Sequence, residues 1–521
     1  MHAFALSLAL SLTVVQSSLS VGPQQKVLSP APTANQRFGR ALAAQGDRAG
    51  IAEFWQGNFL REFQRSGAVW SFSQSPTLLS DVHPETVDFD GEWMVLGDPY
   101  SGFLGAVRVY RRVSGVWQHF QELDMPHNWN GFSEYWGFCV DVDGNRLAVG
   151  NPVDAEYGSA VYVWKRSSAF WSLEGVVAAE PPEYWNMGCG VALRGDELLV
   201  SSRTEVQHHR FIPATGRWVF QYDVLSGLNG PAALSRIPLA IDDDGVALVG
   251  DPYDDTMGAD AGAVHVLERV GGVWGVRATL FATTPLPGAQ FGSSVACRGP
   301  LLAAGAPGAN SAELIVRNGG WQSAAVVTAS DSQPGDRFGA AVAIATTPTN
   351  LVASLLVGSP QHDAGGSNAG AAYFFELTHD AAVYCTSKVN SLGCLPRMLF
   401  SGVPSVSSST PFTIFASSVL NQRNGVFFYG LSGPAAAPFQ GGLKCVSSPT
   451  RRTGTLNSGG TPPIANDCSG VYGFDFQAWI GSGADPSLVP GVSVRGQFWS
   501  RDPAASFGVG LSEAIEFLLQ S

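Results

Sequence analysis

The chain offers few residues in patterns that could do covalent chemistry. Its nine histidines are scattered, and only His208 and His209 are adjacent. That pair lies in a strand-like run, where successive side chains point to opposite faces, so it makes no metal site by itself. No G-x-S-x-G nucleophile turn, H-E-x-x-H zinc helix or phosphate-binding glycine loop occurs. Glu134, Glu183 and Asp255 are carboxylates that separate parts of a fold could bring together for glycoside hydrolysis, but no spacing rule links them. What remains is recognition chemistry. The stretches His127–Trp136 and Glu180–Asn186 interleave aromatic rings with amides and acids. In them Trp129, Tyr135, Tyr184 and Trp185 could stack on sugar faces while their polar neighbours bond hydroxyls, or could pack in the core. A third stretch, 251–260, carries Asp254, Asp255 and Asp260. These could hold a hard cation such as Ca²⁺ through oxygens, or could simply cap turns.

The elements that must position these residues recur along the chain. An aromatic-glycine start, a V-A strand, L-x-V-G-x-P, a loop, G-A-V-x-V and a Gly-x-Trp turn follow one another repeatedly. Clear starts fall at Phe38, Trp136, Met187, Phe291 and Phe338, and degenerate ones at His83 and Ile237, with steps of 45, 53, 51, 50, 54 and 47 residues. Trp70, Trp117, Trp171, Trp218, Trp274 and Trp321 keep the same beat, as do the Gly-x-Pro markers from Gly97 to Gly358. Each unit holds four short strands rich in β-branched and aromatic residues, separated by Gly, Asp or Pro. Four strands per unit, repeated, are the pattern of a propeller blade, and a ring of blades buries both faces of every sheet. The expected fold class is all-β, a seven-bladed β-propeller followed by a small β-sandwich-like domain. Residues 25–28 precede Phe38 as each Trp strand precedes its next start, so an N-terminal strand is expected to close the last blade. Because neighbouring strands alternate in direction, tight turns fall on one face and all long loops on the other, where function concentrates.

The segments FGSSVACRGPLLAAGAPG (291–308) and FGAAVAIA…LLVGSP (338–360) resemble FG-GAP repeats, as found in integrin α-subunit propellers and bacterial exported proteins. The resemblance spans about residues 37–377; it implies a seven-bladed propeller and no single activity. It also raises calcium, since integrin-type repeats carry a D-x-[DN]-x-D-G-x-x-D loop. Here only Asp88-Phe-Asp90-Gly91, Asp141-Val-Asp143-Gly144 and Asp242-Asp-Asp244-Gly245 stand at that place, without the distal ligand. Plain hairpins are expected there, and no cofactor.

Residues 1–20 read as a secretory signal with its apolar run at Ala3–Val15. Residues 21–380 form the propeller, and 381–521 a disulfide-containing β domain. Strands are expected over 411–418, 425–429, 471–479 and 492–499. Cys385, Cys394, Cys445 and Cys468 are expected in disulfides, most simply 385–394 and 445–468, although three pairings are open. Cys139, Cys189 and Cys297 fall in repeat strands, where a thiol acts as a small hydrophobe. Residues 385–521 resemble a C-terminal module of planctomycete exported proteins, on the paired cysteines, Phe427-Phe-Tyr-Gly430, Asp467-Cys-Ser-Gly470 and the Trp499-x-Arg501-Asp502-Pro close. Trp499, Arg501 and Asp502 could form a binding spot, or a stacked Arg–Trp with a paired Asp as a structural corner. A net charge of −13 disfavours nucleic acid as a partner. No stretch reaches the length of a transmembrane span. The sequence thus points to a secreted or cell-surface monomer, a non-catalytic binding or adhesion protein for an extracellular glycan or protein. The alternatives are a structural envelope or matrix component, or a propeller hydrolase acting on polysaccharide.

Overall fold

The structure, a computed structural model, describes residues 19–521 except 55–59, 77–83, 103, 127–134, 155–156, 169, 179–185, 231–234, 243–244, 271–272, 300, 318–319, 347–351 and 409. The apolar run through residue 18, and Trp129, Glu134, Glu183, Tyr184 and Trp185, lie outside the described residues. The described chain forms two compact units, Leu19–Thr378 and His379–Ser521.

In the first unit, seven four-stranded sheets are found among the described residues. The third is representative: Cys139–Asp143, Arg146–Asp154, Gly158–Arg166 and Trp171–Ala178, paired antiparallel in chain order. First strands of the seven are Leu42–Gln45, Thr86–Asp90, Cys139–Asp143, Gly190–Arg194, Leu239–Ile241, Ser294–Arg298 and Ala341–Thr346. Each packs beside the next, and the seventh beside the first, in a closed cyclic order. A cyclic array of such sheets is the architecture of a β-propeller. Every junction has its own apolar core. Trp93, Val95, Leu147 and Val149 share one between the second and third sheets, for example, and Ile51, Phe63, Leu356 and Phe374 share one between the first and seventh.

The repeat markers have one physical cause, the fit of each sheet against the next. A Cβ on Gly97, Gly150, Gly250, Gly305 or Gly358 would overlap the carbonyl oxygen of Gly137, Gly188, Gly292, Gly339 or Gly39, the glycine of the following aromatic-glycine start. Only glycine leaves room for this backbone contact. The aromatic itself bridges to the glycine before the third strand of the preceding sheet, as in Gly105 with Trp136, Gly262 with Phe291 and Gly370 with Phe38. Trp136, Phe291, Phe338 and Phe38 are fully buried there. Where the fourth sheet has Ser201 instead of the glycine, its hydroxyl donates to the Ile237 carbonyl at 2.8 Å. The outer tryptophans look backwards: Trp70 stacks on Phe374 of the seventh sheet at 4.9 Å and donates Nε1–H to Ser354 at 3.1 Å.

The strand Leu19–Val27 lies beside Ala371–His379 as the outer member of the seventh sheet. Gln25 on it accepts from Trp70 N–H at 2.9 Å and donates to Trp70 O. Gln121, on the outer strand of the second sheet, treats Trp171 in the same way. The N-terminal strand thus does the work of a fourth strand, 306 residues from its partner Ser330, whose N–H meets Gln24 at 3.0 Å.

In the second unit a five-stranded sheet, ordered Ala381–Tyr384, Val509–Leu518, Ser493–Arg501, Asn424–Gly430, Thr450–Asn457, shares one core with a three-stranded sheet of Arg397–Ser401, Thr413–Val419 and Gly470–Asp475. Phe412, Phe427, Phe476, Phe498 and Phe517 fill that core. The strand expected over 471–479 ends early. Asp475 accepts from Ala478 N–H at 2.9 Å and caps a short helix, Phe476–Gly481. The simplest disulfide pairing is corrected to Cys385–Cys445 and Cys394–Cys468, with Cα separations of 6.3 and 6.5 Å. The reason is tertiary. Tyr384 donates its hydroxyl to Cys445 O at 2.6 Å, which sets the end of the strand Ala381–Tyr384 against Gly442–Val446. Meanwhile residues 390–394 close into a turn around Asn390, whose amide reaches toward Cys468. Asp502 accepts from Ser391 N–H at 2.8 Å and Trp499 donates to Gln440 at 3.1 Å, which makes that C-terminal corner a packing feature.

Candidate binding site at the channel mouth

The seven first strands enclose a cavity of about 300 Å³ along the axis of the ring. One repeat position lines it in five of the sheets: five residues after their starts come Ala43, Asp88, Asp141, Ala296 and Ala343. The equivalent Ala192 packs in the core between the fourth and fifth sheets. The expected hairpins form, Asp90 pairing with Trp93 and Asp143 with Arg146, and Asp242 caps its own hairpin by accepting from Val246 N–H at 3.0 Å; Asp88 and Asp141 do more. Asp88 accepts from Val142 N–H at 2.8 Å and Asp141 from Leu193 N–H at 2.6 Å, each reaching the neighbouring sheet. Two residues further on, Gln45 accepts from Gly91 N–H, Asp90 from Gly144 N–H and Asp143 from Gly195 N–H. These side chains ratchet successive sheets together at the hairpin end of the channel. Their oxygens serve backbone donors on neighbouring sheets, and the Asp88 and Asp141 carboxyls also lie within hydrogen-bonding reach of each other.

Burial, and the charge and hydrogen bond of Asp141 beside it, push the Asp88 carboxyl well above the usual carboxylate range. Burial raises Asp141 too. Cys139, Cys189 and Cys297 also line the channel, and burial raises all three thiols, which keeps them protonated and unreactive. Among the described residues no group of three or more His, Cys, Asp or Glu side chains could hold a metal ion.

The other end of the channel, where strand direction gathers the long loops, has different chemistry. Glu85 is buried and accepts from Arg40 Nε–H at 2.7 Å. Arg236, just before the fifth sheet, reaches across the mouth. Its guanidinium donates to the carbonyls of Glu85 at 2.9 Å and Phe138 at 3.1 Å, on the second and third sheets, and lies 5.1 Å from the Phe138 ring. Its Nη2 comes within 3.9 Å of the Glu85 carboxylate, yet the side chain stays 35% exposed. Arg37 and Arg40 both lie over the Phe54 ring. Tyr100 is 54% exposed and meets Tyr135 edge-on at 5.8 Å. Burial raises the Tyr100 phenol, with Glu85, Arg236 and Arg40 all close enough to act on it.

Of the nominated aromatic residues, Tyr135 is the described one; it does not line the channel but braces Tyr100 and packs on the neighbouring core. Asp254, Asp255 and Asp260 do not line the channel. Asp254 accepts from Thr256 N–H and Asp255 from Asp260 N–H, both at 2.8 Å, so these carboxylates staple their own loop. Asp363 and Asn368 repeat the second contact in the seventh sheet at 2.9 Å. Arg40, Glu85, Tyr100 and Arg236 were missed. A signal was available, because Arg40, Glu85 and Phe138 stand two residues after their repeat starts, and aligning the repeats on that position marks the rim.

Comparison with known proteins adds a family match over part of the chain: residues 321–375 match the model described as "FG-GAP repeat". That span runs from the last strand of the sixth sheet through the third of the seventh. No curated protein matches the chain. Among solved structures, the chain is similar to one in the "Crystal Structure of Mitotic Checkpoint Complex", at 12% identity and TM-score 0.44, over 72% of this chain and 98% of that one. It is similar to the WD40 beta propeller domain of Doa1 at 12% identity and TM-score 0.41, over 69% and 97%. It is also similar to the beta-propeller domain of Cps50 (Swd1) from Myceliophteria thermophila at 10% identity and TM-score 0.45, over 68% and 99%. The propeller architecture rests on the cyclic order of this chain's own sheets, and the FG-GAP match falls inside that array.

Proposed function

We propose that the chain is a secreted or cell-surface, non-catalytic binding protein. In this reading the seven sheets are the blades of one propeller, and the second unit, which follows it in the chain, is a small sandwich. The propeller presents a ligand site at the loop-bearing mouth of its channel. The observation that carries the reading is the contrast between the two ends. At the hairpin end, Gln45, Asp90 and Asp143 spend their side chains tying sheets together. At the other end, the partly exposed guanidinium of Arg236 lines the open cavity, and the half-exposed Tyr100 ring stands close enough to Arg236, Arg40 and Glu85 to feel their charges. Aromatic faces beside directional polar groups suit a saccharide or a polar protein loop. The two disulfides are compatible with an extracellular setting, and among the described residues no helix is long and apolar enough to cross a membrane.

The test is a glycan and extracellular-protein array probed with the mature chain, a Tyr100→Ala/Tyr135→Ala variant and a Trp129→Ala/Trp185→Ala variant. Saturable binding that the tyrosine variant loses supports the reading. Self-assembly of the chain that ignores both variants would overturn it in favour of an envelope or matrix component.

A further inference from the structure

Resting on that reading, we infer that the mouth selects a saccharide bearing an anionic group, with the charge received by Arg236 and Arg40 and the ring by Tyr100 and Tyr135. The first ground is charge balance. The protein carries −13 overall, yet at this rim two guanidiniums converge on a single carboxylate, Glu85. Arg37 adds a third cation on the Phe54 ring. Among the described residues that line the cavity at this end, Arg40 and Arg236 thus outnumber Glu85, and a local surplus of that sign concentrates anions at a concave opening.

The second ground is preorganisation. Arg236 is held by two backbone carbonyls that belong to different sheets, and it packs on Phe138. Carbonyls carry no net charge, so these bonds fix the guanidinium without neutralising it. Its closest carboxylate contact is long, at 3.9 Å. An arginine whose purpose was an internal ion pair would sit closer, as Arg40 does to the same Glu85 at 2.7 Å. A planar, positioned and partly exposed guanidinium is suited to a carboxylate or sulfate oxygen pair. The third ground is the neighbouring surface. Tyr100, 54% exposed, is braced edge-on by the less exposed Tyr135, which leaves Tyr100 surface near the cation. A pyranose ring with an acidic substituent matches an aromatic wall next to a guanidinium.

The experiment is calorimetric titration of the full mature chain with three probes of similar length: oligogalacturonate for the carboxylate, a sulfated dextran oligomer for the sulfate, and a neutral mannan oligomer. Each is measured at low and at physiological salt. The wild type is compared with Arg236→Gln, with the charge-balanced pair Arg40→Gln/Glu85→Gln, and with Asp255→Asn as a loop variant away from the channel. Thermal unfolding of each variant shows that it is folded. The expected result is binding of one or both acidic probes, weakened by added salt and by about tenfold or more in Arg236→Gln, with Asp255→Asn unchanged. Whichever acidic probe binds tells carboxylate from sulfate. Binding of the neutral probe with equal affinity, insensitive to salt and to Arg236→Gln, overturns the anionic inference and leaves the binding reading standing. Binding of none of the probes overturns the saccharide inference, while a protein ligand found on the array would still sustain the wider reading.

Discussion

Asp88 and Asp141 occupy one repeat position in adjacent sheets, and both carboxyls titrate above their ordinary range because burial disfavours their charge. A native pKa above the unfolded value means that the folded state binds the proton more tightly. The resulting stability is fully present below about pH 4, the unfolded aspartate range, and is lost as pH rises through the native pKa. Carboxylates held below their usual range, such as Asp485 beside Arg451 and Tyr429, act in the opposite direction. The test is therefore a difference. Asp88→Asn keeps an oxygen for Val142 N–H but cannot ionise, so the fall in Tm between pH 5 and pH 8 should be smaller in the variant than in the wild type. Equal pH slopes in the two proteins would refute this. Asp88→Ala strands the Val142 N–H and should cost about 1–3 kcal/mol at any pH, read by urea unfolding.

At the scale of the element, the junction between sheets is the unit of construction. Gly358 packs on Gly39 across the closure of the ring, so Gly358→Ala should cost about 3 kcal/mol or more in urea unfolding. Gly275→Ala, where a Cβ meets open space, should stay within about 0.5 kcal/mol. The N-terminal strand is the other element under test. Leu19 and Val21 pack on the core between the sixth and seventh sheets, and Lys26 pairs with Asp331 at 2.6 Å beside His362. A chain starting at Leu28 loses these contacts and bares the edge of Ala371–His379. Its Tm should fall by at least about 5 °C, and the exposed edge should promote association. A truncated chain that melts with the wild type and stays monodisperse in light scattering would contradict this. The strands of the repeats were legible in the sequence because each is short, β-branched and bounded by Gly, Asp or Pro. The break of 471–479 into strand and helix was not, since the alternation of Tyr472, Phe474 and Phe476 toward the core continues past the Asp475 cap.

Across the whole molecule, both disulfides lie within residues 385–468, inside the second unit. They close separations of 60 and 74 residues, for which chain entropy gives about 4 kcal/mol each. Reduction should lower the calorimetric transition of the second unit and leave that of Leu19–Thr378 nearly in place. A matching fall of both transitions would show that the two units unfold as one. The Leu19–Thr378 unit has no disulfide among its described residues. It relies on the closed ring, in which each sheet covers the next and no face is left bare.

Period and composition by themselves determined the all-β class, the beat of the repeats and the face on which long loops gather. These follow from local facts: β-branched runs, turn residues and the alternation of strand direction. The four paired cysteines were equally plain, but their partners were decided by tertiary placement, since nothing local tells Cys385 that Cys445 lies nearer in space than Cys394. The rim of the channel was likewise settled only by the fold. Arg40, Glu85, Tyr100 and Arg236 stand far apart in the chain and in unremarkable local contexts, and Arg236 meets Glu85 only because the fifth sheet faces the second across the ring. A cyclic fold brings distant residues to one axis, and a linear reading sees that axis only once the repeats are laid over one another.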